Sequence, residues 1–316
     1  MRKLVIVAIG GNSLIRDSAH QTVEDQYTAV RETAKQVTGI IEHGYHVIVT
    51  HGNGPQVGFI LQRSDIAHEV AGMHRVPLDS CVADTQGAIG YQVQQALDDE
   101  FRRRGLRGSA VTIITQVVVA ADDPAFLNPS KPIGSFYTKE QADALQQQNP
   151  GWAIVSDAGR GYRRAVPSPK PMRIVEKDVI GKLARDGYCV IAVGGGGVPV
   201  VELADGSFVG VEAVIDKDHA SSLLASEVSA DMLIISTGVP KVYLNFGKPD
   251  QRALDLVRLA ELHEYVRENH FSPGSMLPKV QAVIGFLERG GKRAVITNPE
   301  SLEEAVAGRT GTHVMP

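Results

Sequence analysis

Apolar and polar residues follow one another along this chain in blocks, and the period changes from block to block. Residues 4–9 read LVIVAI, a continuous apolar run closed by Gly10-Gly11. Such a short run of mostly β-branched residues predicts a strand buried on both faces. From about Thr22 to His43 the spacing becomes helical, through Ala29, Val30, Ala34, Val37, Ile40 and Ile41, and Gly44 stands where a helix commonly ends. Val47–Thr50 is strand-like again, so the chain opens as a β-α-β unit.

The alternation continues. Helical spacing over Asp84–Arg103 precedes a strand pattern over Ala110–Ala120, and Glu176–Asp186 precedes Tyr188–Val193. Residues 219–230 precede Met232–Thr237. Leu254–Asn269 and Lys279–Arg289 read as helices and Ala294–Thr297 as a late strand. Strand and helix alternating over the whole length predict an α/β protein with a parallel sheet. One stretch breaks the rhythm. Asp122–Pro171 is rich in proline, glycine and charge, and is too long for a simple connection. It reads as an excursion from the sheet, a small subdomain with a hairpin, of the kind that carries lids or substrate contacts.

Composition narrows the function classes. With 32 Lys+Arg against 36 Asp+Glu the net charge is −4, which leaves no basic footprint for nucleic acid or a membrane surface. Cys81 and Cys189 provide no disulfide framework and no CxxC pair, and a reduced, cytoplasmic setting is expected. The opening apolar run is too short for a signal peptide, and no stretch approaches the ~20 apolar residues of a membrane helix.

Several familiar motifs are missing: GxxxxGK[ST], HExxH, GxSxG, and a GxGxxG after a strand. Glycine-rich turns follow three of the expected strands instead: Gly10-Gly11-Asn12-Ser13, His51-Gly52-Asn53-Gly54-Pro55 and Gly194–Gly197. In open α/β sheets ligands bind at the carboxyl ends of the strands, and successive backbone N–H groups can cradle an anion there. The competing reading is that each cluster only turns the chain from strand to helix. Three lysines lie in rigid surroundings: Lys131 in Ser-Lys-Pro-Ile-Gly, Lys217 in Ile-Asp-Lys-Asp, and Lys279 after Pro-Gly-Ser-Met-Leu-Pro. A lysine is ordinarily a solvated charge, but phosphoryl transfer needs cations around the moving group and little else from the protein. Asp218 is a natural N-cap for the helix expected after it, and could also orient those lysines. Gly159-Arg160-Gly161-Tyr162-Arg163-Arg164 is a basic loop, either an anion fork or a solvated charge run.

These segments together resemble the carbamate kinases of the amino-acid kinase superfamily. The matching stretches include AIGGNSL, THGNGPQVG, PLDSCVADTQGAIGY, NPSKPIG, DAGRGYRRAVPSPKP, IAVGGGGVPVV, GVEAVIDKDHASSLLA, TGVPKVYLNFGKP and PGSMLPKV, in order from residue 8 to residue 280. The resemblance implies an open αβα sandwich with a mostly parallel sheet, residues 1–316 forming one amino-acid kinase domain. Residues 1–225 would form an acceptor-binding lobe carrying a lid subdomain at about 122–171, and residues 226–316 a nucleotide-binding lobe. It implies reversible phosphoryl transfer between ATP and carbamate, Mg²⁺ entering with the nucleotide phosphates and no metal ligand assigned to the protein, and a homodimer. The flux would run toward ATP in arginine, agmatine or purine-derivative catabolism.

By that resemblance Lys131, Lys217, Asp218 and Lys279 are the catalytic set. Gly10, Gly11, Asn12, Gly52, Asn53 and Gly54 would bind carbamate and the phosphoryl group, while Thr237, Gly238, Tyr243, Gly274, Ser275 and Met276 would hold the nucleotide. Many superfamily kinases carry a lysine just before the first Gly-Gly. Here Val7-Ala8-Ile9 has none, a loss shared by carbamate kinases, in which the subdomain lysine supplies the charge instead. Another small acid acceptor, or a silent nucleotide sensor, are the alternative readings.

Overall fold

The computed structural model describes residues 2–10, 22–156 and 161–316. Its centre is an eight-stranded sheet. The strand order is Leu256–Arg258, Thr312–Met315, Ala294–Thr297, Met232–Ser236, Leu4–Ile9, His46–His51, Cys189–Ile191 and Ala110–Thr112. Every neighbouring pair is parallel except Ala294–Thr297 with Thr312–Met315. The first strand sits inside the sheet, between His46–His51 and Met232–Ser236.

Period-two alternation of an all-apolar strand explains the layers. Leu4, Ile6 and Ala8 face one side, against Ile180 and Ala184 of the helix Lys177–Arg185, Leu224 of Lys217–Glu227 and Val283 of Met276–Glu288. Val5, Val7 and Ile9 face the other, against Val30 and Val37 of the helix Val23–Glu42, Ile89 and Leu97 of Leu78–Arg104, and Leu302 of Leu302–Val306. The expected αβα sandwich is therefore present.

Two expected elements are corrected. Ala110–Ala120 is not one strand. It splits into Ala110–Thr112, at the edge of the main sheet, and Gln116–Val118, in a separate four-stranded sheet. The split falls at buried Thr115, whose N–H donates to Gln86 Oε1 (2.7 Å) and whose C=O accepts from Gln86 Nε2 (3.0 Å). With a glutamine side chain serving its backbone, this residue can leave one sheet before the chain joins the next. The second correction is Leu254–Asn269, where only Leu259–Arg267 is helical. Arg252–Leu254 and Leu256–Arg258 are strands instead, separated by a bend at Asp255, because their partners are Val242–Leu244 and Thr312–Met315.

The helix Gly54–Ala71 has no counterpart in the sequence reading. Val57, Gly58 and Ser64 are its buried residues, so no apolar stripe advertises it. Its end signals were legible, with Pro55 in the first turn and Gly72 in a left-handed C-cap. The excursion at Asp122–Pro171 is a subdomain: a three-stranded antiparallel sheet, Lys131–Tyr137, Tyr162–Val166 and Ala153–Ser156, with the helix Lys139–Gln148. It joins the body at Gly134, where a Cβ on Gly58 would lie 2.0 Å from the Gly134 Cα.

Candidate active site

Three neighbouring parallel strands release the chain at one edge of the sheet. Gly10 follows the first, Gly52 to Gly54 the second, and Thr237-Gly238 follow Ser236. A cleft of about 410 Å³ opens there, lined by Gly10, Gly52, Asn53, Gly54, Lys131, Gly195, Val214, Ile215, Asp216, Lys217, Asp218, Ser236, Thr237, Gly238, Gly274, Ser275, Pro278 and Lys279. All four residues expected to be catalytic meet in it, from the subdomain, the start of helix Lys217–Glu227 and the first turn of helix Met276–Glu288.

Asp218 is the centre of the charge arrangement. Its Oδ2 accepts from Lys279 Nζ at 2.8 Å, and its Oδ1 lies 3.2 Å from Lys217 Nζ. Burial opposes ionisation of Asp218, but the two ammonium groups outweigh it and hold the carboxyl below the ordinary range. Burial, helped by the nearby Lys279, pulls Lys217 below an ordinary lysine, while Asp218 pushes back. Burial also opposes the charge on Lys279, yet Asp218 and Asp216 prevail and raise it. Lys217 Nζ donates to the C=O of Ile9 at 2.9 Å. An ammonium thus reaches the end of the first strand, where the sequence carries no lysine of its own.

The N-cap assignment is corrected. Asp216, not Asp218, caps the helix: its Oδ1 accepts from the N–H groups of Asp218 (2.9 Å) and His219 (3.3 Å). Asp218 is then the second helical residue and its carboxylate is free to serve the lysines. Asp216 Oδ2 also accepts from Lys131 Nζ at 2.6 Å, a contact between body and subdomain. Burial works against its charge, but Lys131 and His219 hold it well below the usual carboxylate range. Asp216 was missed as a site residue. The signal available was Ile-Asp-Lys-Asp itself, since an aspartate two positions before Asp218 is an equally good cap.

The glycine clusters divide. Gly54 has open space where a Cβ would stand, and Gly52 has only the Lys217 Cδ at 3.7 Å, so both offer bare backbone to the cleft. Gly194–Gly197 answers mainly to packing. A Cβ on Gly194 would lie 2.4 Å from His51 Nε2, and one on Gly197 2.1 Å from Val117 Cγ2; of the four, only Gly195 lines the cleft. His51 is fully buried and its Nδ1 lies 3.0 Å from the Gly52 C=O, so Nδ1 carries the proton and donates. Burial lowers its pKa to about 4. Asn53 donates to Thr85 Oγ1 at 3.0 Å, which fixes the turn after the second strand.

Other expectations fall elsewhere. Gly11 and Asn12, with Gly159 and Arg160 of the basic loop, lie outside the described residues. Gly274 and Ser275 line the cleft, but Tyr243 and Met276 do not. The Tyr243 ring packs near Phe246, 5.8 Å between centroids, and Met276 packs against the core. Arg163 and Arg164 of the basic loop are used within the subdomain. Arg163 Nε donates to the Gly134 C=O at 3.1 Å, and the Arg164 guanidinium lies 4.1 Å from the Trp152 ring centroid. Among the described residues no group of three or more His, Cys, Asp and Glu side chains forms a metal cluster. No helix of the described residues is long and apolar enough to cross a membrane.

The profile of the amino acid kinase family matches residues 3–298. The chain is 53% identical to the carbamate kinase-like protein YahI of Escherichia coli (strain K12), over 100% of this chain and 99% of that protein. It is 50% identical to the carbamate kinase of Thermococcus kodakarensis, over 99% of both chains. The solved structure of carbamate kinase from Giardia lamblia bound to AMP-PNP superposes with a TM-score of 0.91 at 40% identity, covering 99% of this chain and 98% of that one.

Proposed function

Because the chain belongs to the amino acid kinase family, and within it to the carbamate kinases, we propose that it catalyses ATP + carbamate = ADP + carbamoyl phosphate. The observation that carries this reading is the convergence of Lys131, Lys217 and Lys279, with Asp218 between two of them, on one cleft at the carboxyl edge of the sheet.

The chemistry asked of the residues is modest. In the direction of ATP synthesis, a β-phosphate oxygen of ADP forms a bond to the phosphorus of carbamoyl phosphate as the bond to the carbamate oxygen breaks. Both sides are anionic, so neither a general base nor a covalent intermediate is needed. The protein has to align two anions and offset charge on the moving group. Gly10, Asn53 and Gly54, with Gly11 and Asn12, would present backbone N–H groups to carbamate and the phosphoryl oxygens; the Gly52 N–H donates to the Ile9 C=O at 3.3 Å, so Gly52 would serve by leaving room for the ligand. Lys217 and Lys279 would hold the phosphates, with Asp218 fixing both ammonium groups. Thr237, Gly238, Gly274 and Ser275 would lie along the nucleotide, with residues 1–225 as the acceptor lobe and 226–316 as the nucleotide lobe. The subdomain at about 122–171 would close as a lid and bring Lys131; carbamate and carbamoyl phosphate both decompose in water, so exclusion of solvent protects them.

Mg²⁺ fits this site as a companion of the nucleotide. Asp216 and Asp218 are both committed to lysines, so its ligands would be phosphate oxygens and water, the arrangement this ion commonly takes. The ion would offset charge on the β- and γ-phosphates. A cytoplasmic homodimer running toward ATP in arginine, agmatine or purine-derivative catabolism completes the reading.

The test is ATP formation by the purified protein from ADP, Mg²⁺ and carbamoyl phosphate, followed by a coupled assay with acetyl phosphate as a parallel donor. Turnover favouring carbamoyl phosphate supports the assignment. Preference for acetyl phosphate would point to another acid acceptor, and nucleotide binding without turnover to a sensor.

A further inference from the structure

We propose that Asp216 is a positioning residue for Lys131: its carboxylate holds the subdomain lysine at the cleft before a phosphoryl group arrives, and takes it back after the product leaves. The inference deepens the reading above and rests on Lys131 contacting the phosphoryl group.

The geometry assigns the two oxygens of Asp216 different tasks. Oδ1 is bound by the N–H groups of Asp218 and His219, so the carboxylate is clamped to the helix start and cannot follow the lysine. Oδ2 faces the cleft and binds Lys131 Nζ at 2.6 Å, across 85 positions of sequence. Lys131 begins the subdomain strand Lys131–Tyr137, and Asp216 belongs to the body. The contact therefore ties the two parts together at the reacting edge.

Accessibility separates this pair from its neighbours. The side chains of Lys131 and Asp216 are 30% and 22% exposed, against 11% and 4% for Lys217 and Asp218. An incoming phosphoryl group can compete for the first lysine but not easily displace the second. The ammonium of Lys131 has three donors on a flexible stem, and a phosphoryl group offers more charge and more acceptors than one carboxylate oxygen. When Lys131 turns away, Lys279, Lys217 and the His219 ring remain near Asp216, with the Asp218 carboxylate beside them.

The experiment separates charge from capping. Asn and Ser cap a helix about as well as Asp but carry no charge, whereas Glu carries the charge and caps poorly. In the intact enzyme, Asp216→Asn and Asp216→Ser should lower kcat/KM for carbamoyl phosphate about tenfold, mainly through KM, and Asp216→Glu by no more than about threefold. Melting temperatures of all three identify any variant that fails to fold. Amide exchange along Lys131–Tyr137 should quicken in ligand-free Asp216→Asn and match wild type with ADP, Mg²⁺ and nitrate, a planar anion stand-in, bound. On a Lys131→Ala background, Asp216→Asn should cost less than about twofold more, since both act through one contact.

Wild-type kinetics in Asp216→Asn, a larger defect in Asp216→Glu than in Asp216→Asn, or fully multiplicative effects with Lys131→Ala would each overturn the proposal. So would relief of the defect by excess Mg²⁺, which would assign Asp216 to the metal. Full turnover in Lys131→Ala alone would instead remove the role of Lys131 on which the proposal stands.

Discussion

The ammonium of Lys279 lies 2.8 Å from Asp218 Oδ2, although 61 positions separate the two residues. The helix Lys217–Glu227 presents the carboxylate and the helix Met276–Glu288 presents the lysine, and the two helices pack together on the same face of the sheet. Because Lys217 shares the same carboxylate, one buried aspartate pairs with two lysines.

Replacement of Asp218 tests that coupling. Asp218 is the main group that raises Lys217 against burial, with a smaller contribution from Asp216. In Asp218→Asn the pKa of Lys217 falls further, so activity that needs its charge is lost at lower pH than in wild type. The pH profile of kcat/KM should show an alkaline limb displaced toward neutrality, with kcat reduced by roughly 100-fold at its optimum. An alkaline limb that stays in place would count against the shared carboxylate.

Lys131→Ala removes the subdomain's charge from the cleft. Turnover should fall about 100- to 1,000-fold, with ADP affinity within about threefold of wild type. Steady-state kinetics beside calorimetric ADP titration checks both, and unchanged kcat would exclude a phosphoryl contact.

Gly54→Ala separates backbone presentation from packing. Nothing lies within 4 Å of a Cβ at this position, in the first turn of helix Gly54–Ala71. Thermal stability should be equal to or slightly above wild type, since alanine is the better helix former. If the backbone there approaches the acceptor, the methyl group will raise KM for carbamoyl phosphate about tenfold or more. Unchanged KM would move the acceptor away from Gly54.

Gly58→Ala acts on the joint between body and subdomain. A Cβ there would lie 2.0 Å from the Gly134 Cα, in backbone that cannot swing aside. The strand carrying Lys131 has to shift, and the cost should be about 1–3 kcal/mol of stability. Denaturant titration measures that cost. A kcat loss should accompany it, and Gly58→Ala with wild-type stability would contradict the close approach.

His51 sets an acid limit. Its folded pKa is lowered to about 4, whereas an unfolded histidine titrates near ~6.5. The unfolded chain binds the extra proton between those values, so the contribution is complete above about pH 6.5 and declines as pH falls toward about 4. His51→Asn retains an N–H for the Gly52 C=O and should flatten that part of the curve. Stability followed from pH 7 to pH 4 checks the difference, and parallel curves would show that His51 does not titrate with folding.

The hydrophobic pattern determined the α/β class, the central strands and most helices flanking them, because burial on both faces leaves long apolar runs such as Leu4–Ile9 and helices of mixed period such as Val23–Glu42. Lys131, Lys217, Asp218 and Lys279 were also legible, through local segments that resemble a known family. What the tertiary structure decided lies between segments. The break of Ala110–Ala120 at Thr115 depends on Gln86, and the strand at 256–258 depends on Thr312–Met315. The helix Gly54–Ala71 escaped because it lies beneath the subdomain without an apolar stripe. Asp216 and Asp218 look alike in Ile-Asp-Lys-Asp, and only the start of the helix assigns one to the cap and Lys131 and the other to Lys217 and Lys279. Periodicity records which face of an element meets the core; pairing partners and charge partners come from distant positions, so they are settled only when the elements pack.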